Sequence, residues 1–153
     1  MKVNPWLYRA SCAVAGWSCV SCVFGGMLLN VVLKNLFVRP RPHFDDSVRV
    51  LTTFSFPSGH TMLAAVFYGA LCAFVVSRLR GWMLRVLAVF AAIFMIVLVG
   101  FGRMYLGVHY LSDVLGAMAE GLAWLSVCFL TVGLIRNSRN AVSVRRAVAT
   151  RSK

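Results

Sequence analysis

Acidic side chains are almost missing from this sequence. Four Asp and Glu stand among 153 residues against 16 Lys and Arg, and only 13% of the chain is charged. A chain so poor in charge, 60% hydrophobic and with a mean hydropathy of +0.81, lacks the polar surface of an ordinary soluble domain. A second Cys-x-x-Cys pair is also missing. Cys19 and Cys22 have the spacing of a redox or zinc pair. With no partner pair and apolar neighbours, they read with Cys12, Cys72 and Cys128 as small packing residues. No repeat of solenoid period occurs. No polar domain follows the first apolar run, which is longer than a secretory signal core, so that run reads as a retained helix.

What is present is apolar length. A bilayer-spanning helix needs roughly 20 apolar residues, and four stretches qualify: Ala10 to Leu33, Thr61 to Ser77, Trp82 to Gly102 and Tyr110 to Ile135. The expected fold is therefore all-α, an integral-membrane helical bundle of about four transmembrane helices. Residues 1–136 form its membrane domain and 137–153 a basic tail. In a soluble protein the net charge of +12 would suggest nucleic acid. Here four crossings sort eleven of the cations to the side of the termini and leave Lys34, Arg39, Arg41, Arg49 and Arg103 on the other. The excess of positive charge on short loops puts both termini in the cytoplasm and loops 34–60 and 103–109 outside. The tail has no aromatic residues to stack bases, so no nucleic-acid partner is expected and the bilayer surface is.

Chemistry concentrates in the outward loops. The segment KNLFVRPRPHF places Lys34, Arg39 and Arg41 at the mouth of an apolar run, where cations are costly. Pro40 and Pro42 hold that segment extended. Pro57, Ser58, Gly59 and His60 open the second helix, whose first N–H groups form an anion site. In GRMYLGVHYLSD, His109 and Asp113 are four residues apart and share a helical face. An aspartate there fixes the imidazole tautomer and leaves Nε2 free to attack an electrophile. Taken alone, the pair reads equally well as a polar pair that caps a helix. Together, Lys34, Arg41, Arg103, the helix start and two histidines meet at one membrane face, a trap for a phosphate dianion with a nucleophile and an acid beside it.

These three clusters, in this order, resemble the signature of the type 2 phosphatidic acid phosphatase superfamily: Lys34, six residues, Arg41-Pro42; Pro57-Ser58-Gly59-His60; and Arg103, five residues, His109, three residues, Asp113. That family includes undecaprenyl-diphosphate phosphatases and, more distantly, vanadium haloperoxidases. The resemblance implies that His109 is the nucleophile of a phosphohistidine intermediate, Asp113 orients it and His60 protonates the leaving oxygen. It further implies that Lys34, Arg41, Arg103, Ser58 and the Gly59 amide hold phosphoryl oxygens, with no metal and no cofactor.

Two departures are visible. Gly102 stands where the family usually has Ser, and the first motif follows the first helix where membrane members commonly have two more helices before it. The absent helices imply a minimal form or a longer gene, and a homo-oligomer that supplies their cover through small residues such as Gly25, Gly26, Gly116 and Ala117. The expected activity is hydrolysis of a lipid phosphomonoester or diphosphate: an isoprenoid diphosphate, phosphatidic acid or phosphatidylglycerophosphate. The rival is a non-catalytic lipid-phosphate binder or transport-complex subunit; a vanadate-dependent oxidase is weaker, for want of a soluble scaffold. Arg39 and His43 read as solvated loop residues near a headgroup, Asp45 and Asp46 as charge balance, and Glu120 as an intramembrane carboxylate on the Asp113 face.

Overall fold

The computed structural model describes residues 22–42 and 53–151. It contains four helices, α1 (Cys22–Phe37), α2 (Gly59–Arg78), α3 (Trp82–Tyr105) and α4 (Leu111–Arg151), and no strand among the described residues. Helices α2 and α3 and the Leu111–Ile135 part of α4 are each long and apolar enough to cross a bilayer. The amino-terminal half of the first expected span, Cys12, Cys19, His43, Asp45, Asp46 and Arg49 lie outside the described residues.

The protein is an all-helical integral membrane protein, and its packing follows from where small residues sit. Helix α2 packs against both α3 and α4. Its Met62 and Val66 join Ala117 and Leu125 of α4 in a buried cluster, with Cys22, Val23, Ala70 and Trp124 against it. A Cβ on Gly121 would stand 2.7 Å from that of Ala65, and one on Gly100 would stand 2.6 Å from Val114 Cγ1, so both glycines allow helices to touch. Trp124 Nε1–H donates to the Cys22 carbonyl at 2.7 Å and ties α4 to α1. Helix α3 is apolar all round and buries only Gly100, the pattern of a helix that faces lipid.

Two expected boundaries move, the ends of the first and last helices, with α4 running past Ile135 to Arg151. Helix α1 runs past Leu33 through Lys34 to Phe37, because the Lys34 ammonium finds an acceptor beside the helix and need not end it. Val38 then stops the helix with φ 46°, a left-handed conformation strained for a β-branched residue. The glycines expected to serve self-association are occupied inside the chain. Gly25 and Gly26 lie against Trp124, Gly116 lies against the Phe56 ring and Ala117 is fully buried.

Candidate active site

The cations of the first cluster hold the loops that surround them. Lys34 Nζ donates to the Phe54 carbonyl at 2.9 Å. Arg41 donates from Nε to the Thr53 carbonyl at 2.7 Å, from Nη1 to the Val108 carbonyl at 3.0 Å and from Nη2 to Thr53 Oγ1 at 2.9 Å. One guanidinium thus joins the segment before α2 to the turn before α4.

The second cluster sits where α2 begins. Ser58 is the N-cap residue, but its hydroxyl makes no cap bond and instead accepts from Thr61 Oγ1 at 3.0 Å. Its backbone N–H, expected to be open to an anion, donates to the Asp113 carbonyl at 3.1 Å. The open N–H groups are therefore those of Gly59 and His60 in the first turn, which have no intrahelical partner. A side chain at 59 would place its Cβ 3.1 Å from Asn30 Oδ1, so glycine is what lets α1 approach the start of α2. His60 is exposed toward the cavity.

The third cluster turns at Gly107, whose φ of 65° suits glycine. His109 lies in the turn just before α4 and is 6% exposed. Asp113 occupies the third position of that helix and accepts from the Tyr110 N–H at 2.9 Å, which is one half of a capping box. The same Oδ2 accepts from the Ser55 hydroxyl and lies 3.5 Å from His109 Nδ1. That separation is a contact and not yet a hydrogen bond, and Nδ1 is buried without a hydrogen-bond partner among the described residues. Asp113 is thus both the helix cap and the imidazole neighbour that its spacing allowed. Burial, then Arg41 and Lys34, push the His109 imidazole down from 6.5 to about 4, against the opposing pull of Asp113. At neutral pH such a ring is uncharged, the form in which an imidazole nitrogen can attack an electrophile.

Lys34, Arg41, Gly59, His60, Arg103 and His109 all line one cavity of about 360 Å³. Ser58 and Asp113 stand behind its wall. A second, apolar cavity of about 380 Å³ adjoins it at His60, Leu63 and Arg103 and continues along Val23, Phe67 and Val99. Four participants were not foreseen as a group. Arg39 Nη1 donates to Asp113 Oδ1 at 2.9 Å and to Ser112 Oγ at 2.7 Å, so its head group is bound to protein although its side chain stays 38% exposed. Ser55 is fully buried on Asp113, and Asn30, in the cavity wall, donates from Nδ2 to Glu120 Oε2 behind it at 2.9 Å.

Comparison with known proteins adds an independent line. The family model of the PAP2 superfamily matches residues 15–136. The chain is 45% identical over 106 residues to phosphatidylglycerophosphatase B of Bacillus subtilis (strain 168), covering 65% of this chain and 50% of that protein. It is 36% identical over 114 residues to a lipid A 1-phosphatase of Rhizobium etli, covering 69% of this chain and 44% of the other. Its structure resembles that of a transmembrane PAP2 type phosphatidylglycerolphosphate phosphatase from Bacillus subtilis, with TM-score 0.66 and 29% identity over 89% of this chain and 80% of that one. The chain spans about half the length of these two curated relatives.

Proposed function

The chain belongs to the PAP2 superfamily, and on that premise we propose that it is a metal-independent lipid phosphatase that acts through a phosphohistidine. The observation that carries this reading is the convergence of two histidines and three cations, Lys34, Arg41 and Arg103, on one cavity. Neutral His109 attacks phosphorus through Nε2 as the bond to the leaving oxygen breaks, and His60 gives that oxygen its proton. The charge formed on the imidazolium is met by Asp113, 3.5 Å from Nδ1. Water then attacks the phosphohistidine, His60 takes its proton, and phosphate leaves with the P–N bond broken. Lys34, Arg41, Arg103 and the Gly59 amide neutralise the equatorial oxygens, the work done by a metal in other phosphoryl transfers. Ser58 supports the start of α2 that presents those amides.

The substrate class follows from the adjoining apolar cavity and from the relatives. A terminal phosphate in the polar cavity would leave an acyl or prenyl chain along Val23, Phe67 and Val99. The relatives' names point to phosphatidylglycerophosphate or a lipid A 1-phosphate, with phosphatidic acid and isoprenoid diphosphates fitting the same chemistry. We place the protein in a bacterial inner membrane with termini cytoplasmic and the site on the outer face, on the charge asymmetry of its loops. The proposed homo-oligomer would use the lipid-facing side of α3, because the glycines first assigned to it are occupied.

The second reading is a non-catalytic binder, and the observation behind it is that Arg41 makes four contacts to protein oxygens, which leaves it little freedom to follow charge onto a transition state. The deciding experiment is phosphate release by purified protein from a panel of lipid phosphates in detergent, with and without EDTA. Release that survives EDTA supports the phosphatase. Retention of the lipid without release supports the binder, and release abolished by EDTA supports a metal-dependent enzyme.

A further inference from the structure

Asp113 is held on every side, and the hold does not come from His109. Its side chain is wholly buried. Oδ2 accepts from the Ser55 hydroxyl and from the Tyr110 N–H. Oδ1 belongs to Arg39, which donates from Nη1 at 2.9 Å. Arg39 is itself fixed, since the same nitrogen donates to Ser112 Oγ at 2.7 Å and its guanidinium lies over the Tyr110 ring, 4.5 Å from the centroid. Its carbonyl accepts from the Ser55 N–H at 2.8 Å, so the two segments that grip Asp113 also grip each other.

Arg39 does not line the cavity where the phosphoryl group would sit. It holds Oδ1 of Asp113, whereas the imidazole lies 3.5 Å from Oδ2. We propose that Arg39 is a positioning residue for His109: acting through Asp113, it fixes which carboxylate oxygen faces Nδ1 and how much negative charge the imidazole meets. This rests on the phosphatase reading only for its effect on rate.

The physical argument is a competition for one carboxylate. A guanidinium on Oδ1 draws charge away from Oδ2 and leaves it aimed at Nδ1 without closing the 3.5 Å gap in the resting state. When attack places positive charge on the ring, a sub-ångström movement makes the hydrogen bond, and Ser55 and Tyr110 keep the carboxylate from rotating away. Without Arg39, Oδ1 is a buried, unpaired acceptor and Oδ2 exerts its full charge on His109. The other charged or titratable groups around the ring are Lys34 and Arg41 from α1 and its following segment, His60 from α2 and Arg103 from α3. All are cationic when protonated, so Asp113 is the only negative group among these and Arg39 sets its strength.

The test compares Arg39→Gln, Arg39→Lys, Asp113→Asn and the double variant Arg39→Gln/Asp113→Asn in detergent micelles. Arg39→Gln is expected to lower kcat by roughly tenfold to a hundredfold, the range typical of outer partners of a reacting group, with KM within about twofold. Arg39→Lys, which keeps the charge without the planar fork, recovers part of the rate. The double variant is no slower than Asp113→Asn alone, since a residue that acts through another adds nothing once that other is gone. NMR titration of labelled histidine supplies a readout independent of turnover: the chain has three histidines, His109→Ala identifies the signal, and Arg39→Gln moves its midpoint upward. A raised KM with losses that add to those of Asp113→Asn overturns the proposal in favour of direct substrate contact. Lost thermal stability with an unmoved His109 titration reduces Arg39 to a brace. If wild type releases no phosphate, the phosphatase reading fails while the titration still decides the coupling, and Arg39→Lys serves if Arg39→Gln does not fold.

Discussion

Lowering the pH reads the state of His109 directly. Its imidazole is pushed to about 4, first by burial and then by Arg41 and Lys34. At pH 5.5 an ordinary imidazole is about nine-tenths protonated, whereas this one carries a proton in only a few per cent of molecules, by the same titration law. The acid limb of kcat/KM assigned to His109 is therefore expected near pH 4. Stability carries the same signature with a definite sign. The unfolded chain takes up the proton as pH falls through 6.5 and the folded chain only near 4, so the contribution of the neutral, buried ring is complete above 6.5 and lost between those values. The loss amounts to about 3 kcal/mol if the whole difference is expressed. The measurement is phosphate release from pH 4 to 8, paired with thermal unfolding of wild type and His109→Asn in the same micelles. Subtracting the variant removes titrations that do not depend on His109. An acid limb at 6.5, or a flat difference between pH 6.5 and 4, refutes the account of the buried imidazole.

Other variants separate roles and packing. His109→Ala should abolish turnover and the labelled phosphoenzyme together, whereas His60→Ala should slow poor leaving groups most; acid-free quenching with labelled substrate reads both. A Cβ at 102 would meet nothing within 4 Å, so Gly102→Ser should fold as wild type does and raise kcat/KM about tenfold if the hydroxyl reaches a phosphoryl oxygen. Gly121→Ala should lower stability by about 1–3 kcal/mol, because its Cβ would lie 2.7 Å from that of Ala65 and 3.3 Å from the Met62 carbonyl; differential scanning in micelles measures it.

The clusters around Lys34, His60 and His109 were legible because each rests on short spacing between unusual residues at the end of an apolar run. The spans of α2 and α3 were legible because hydropathy alone sets them. What escaped lies far apart in sequence. Arg39 and Asp113 are 74 residues apart, Ser55 and Asp113 are 58, and Asn30 and Glu120 are 90. No periodicity reports such pairs. A hydroxyl such as Ser55 gives no local signal at all, and Arg39 reads as one more loop cation until its acceptor is known. The glycines show the same limit from the other side. Composition says that helices can approach there, and only the fold says that Trp124 and Phe56 already have.

Asn30 and Glu120 give that limit a quantitative form. They face each other from α1 and α4, both at least nine-tenths buried, with Asn30 Nδ2 donating to Oε2 at 2.9 Å and Oε1 left without a partner among the described residues. Removing the carboxylate alone leaves the buried Asn30 amide without that acceptor. Glu120→Ala is therefore expected to cost about 1–3 kcal/mol, beyond any loss of packing. Replacing both partners with leucine removes both polar groups and should cost less than the two single leucine substitutions summed. Asn30 also lines the cavity beside Gly59 and Lys34, so the single Asn30→Leu variant should alter KM where Glu120→Leu mainly alters stability. Thermal unfolding of the four-member leucine cycle in micelles measures the coupling. Additive losses would mean that the bond at 2.9 Å contributes nothing, and that this buried pair is retained for the cavity alone.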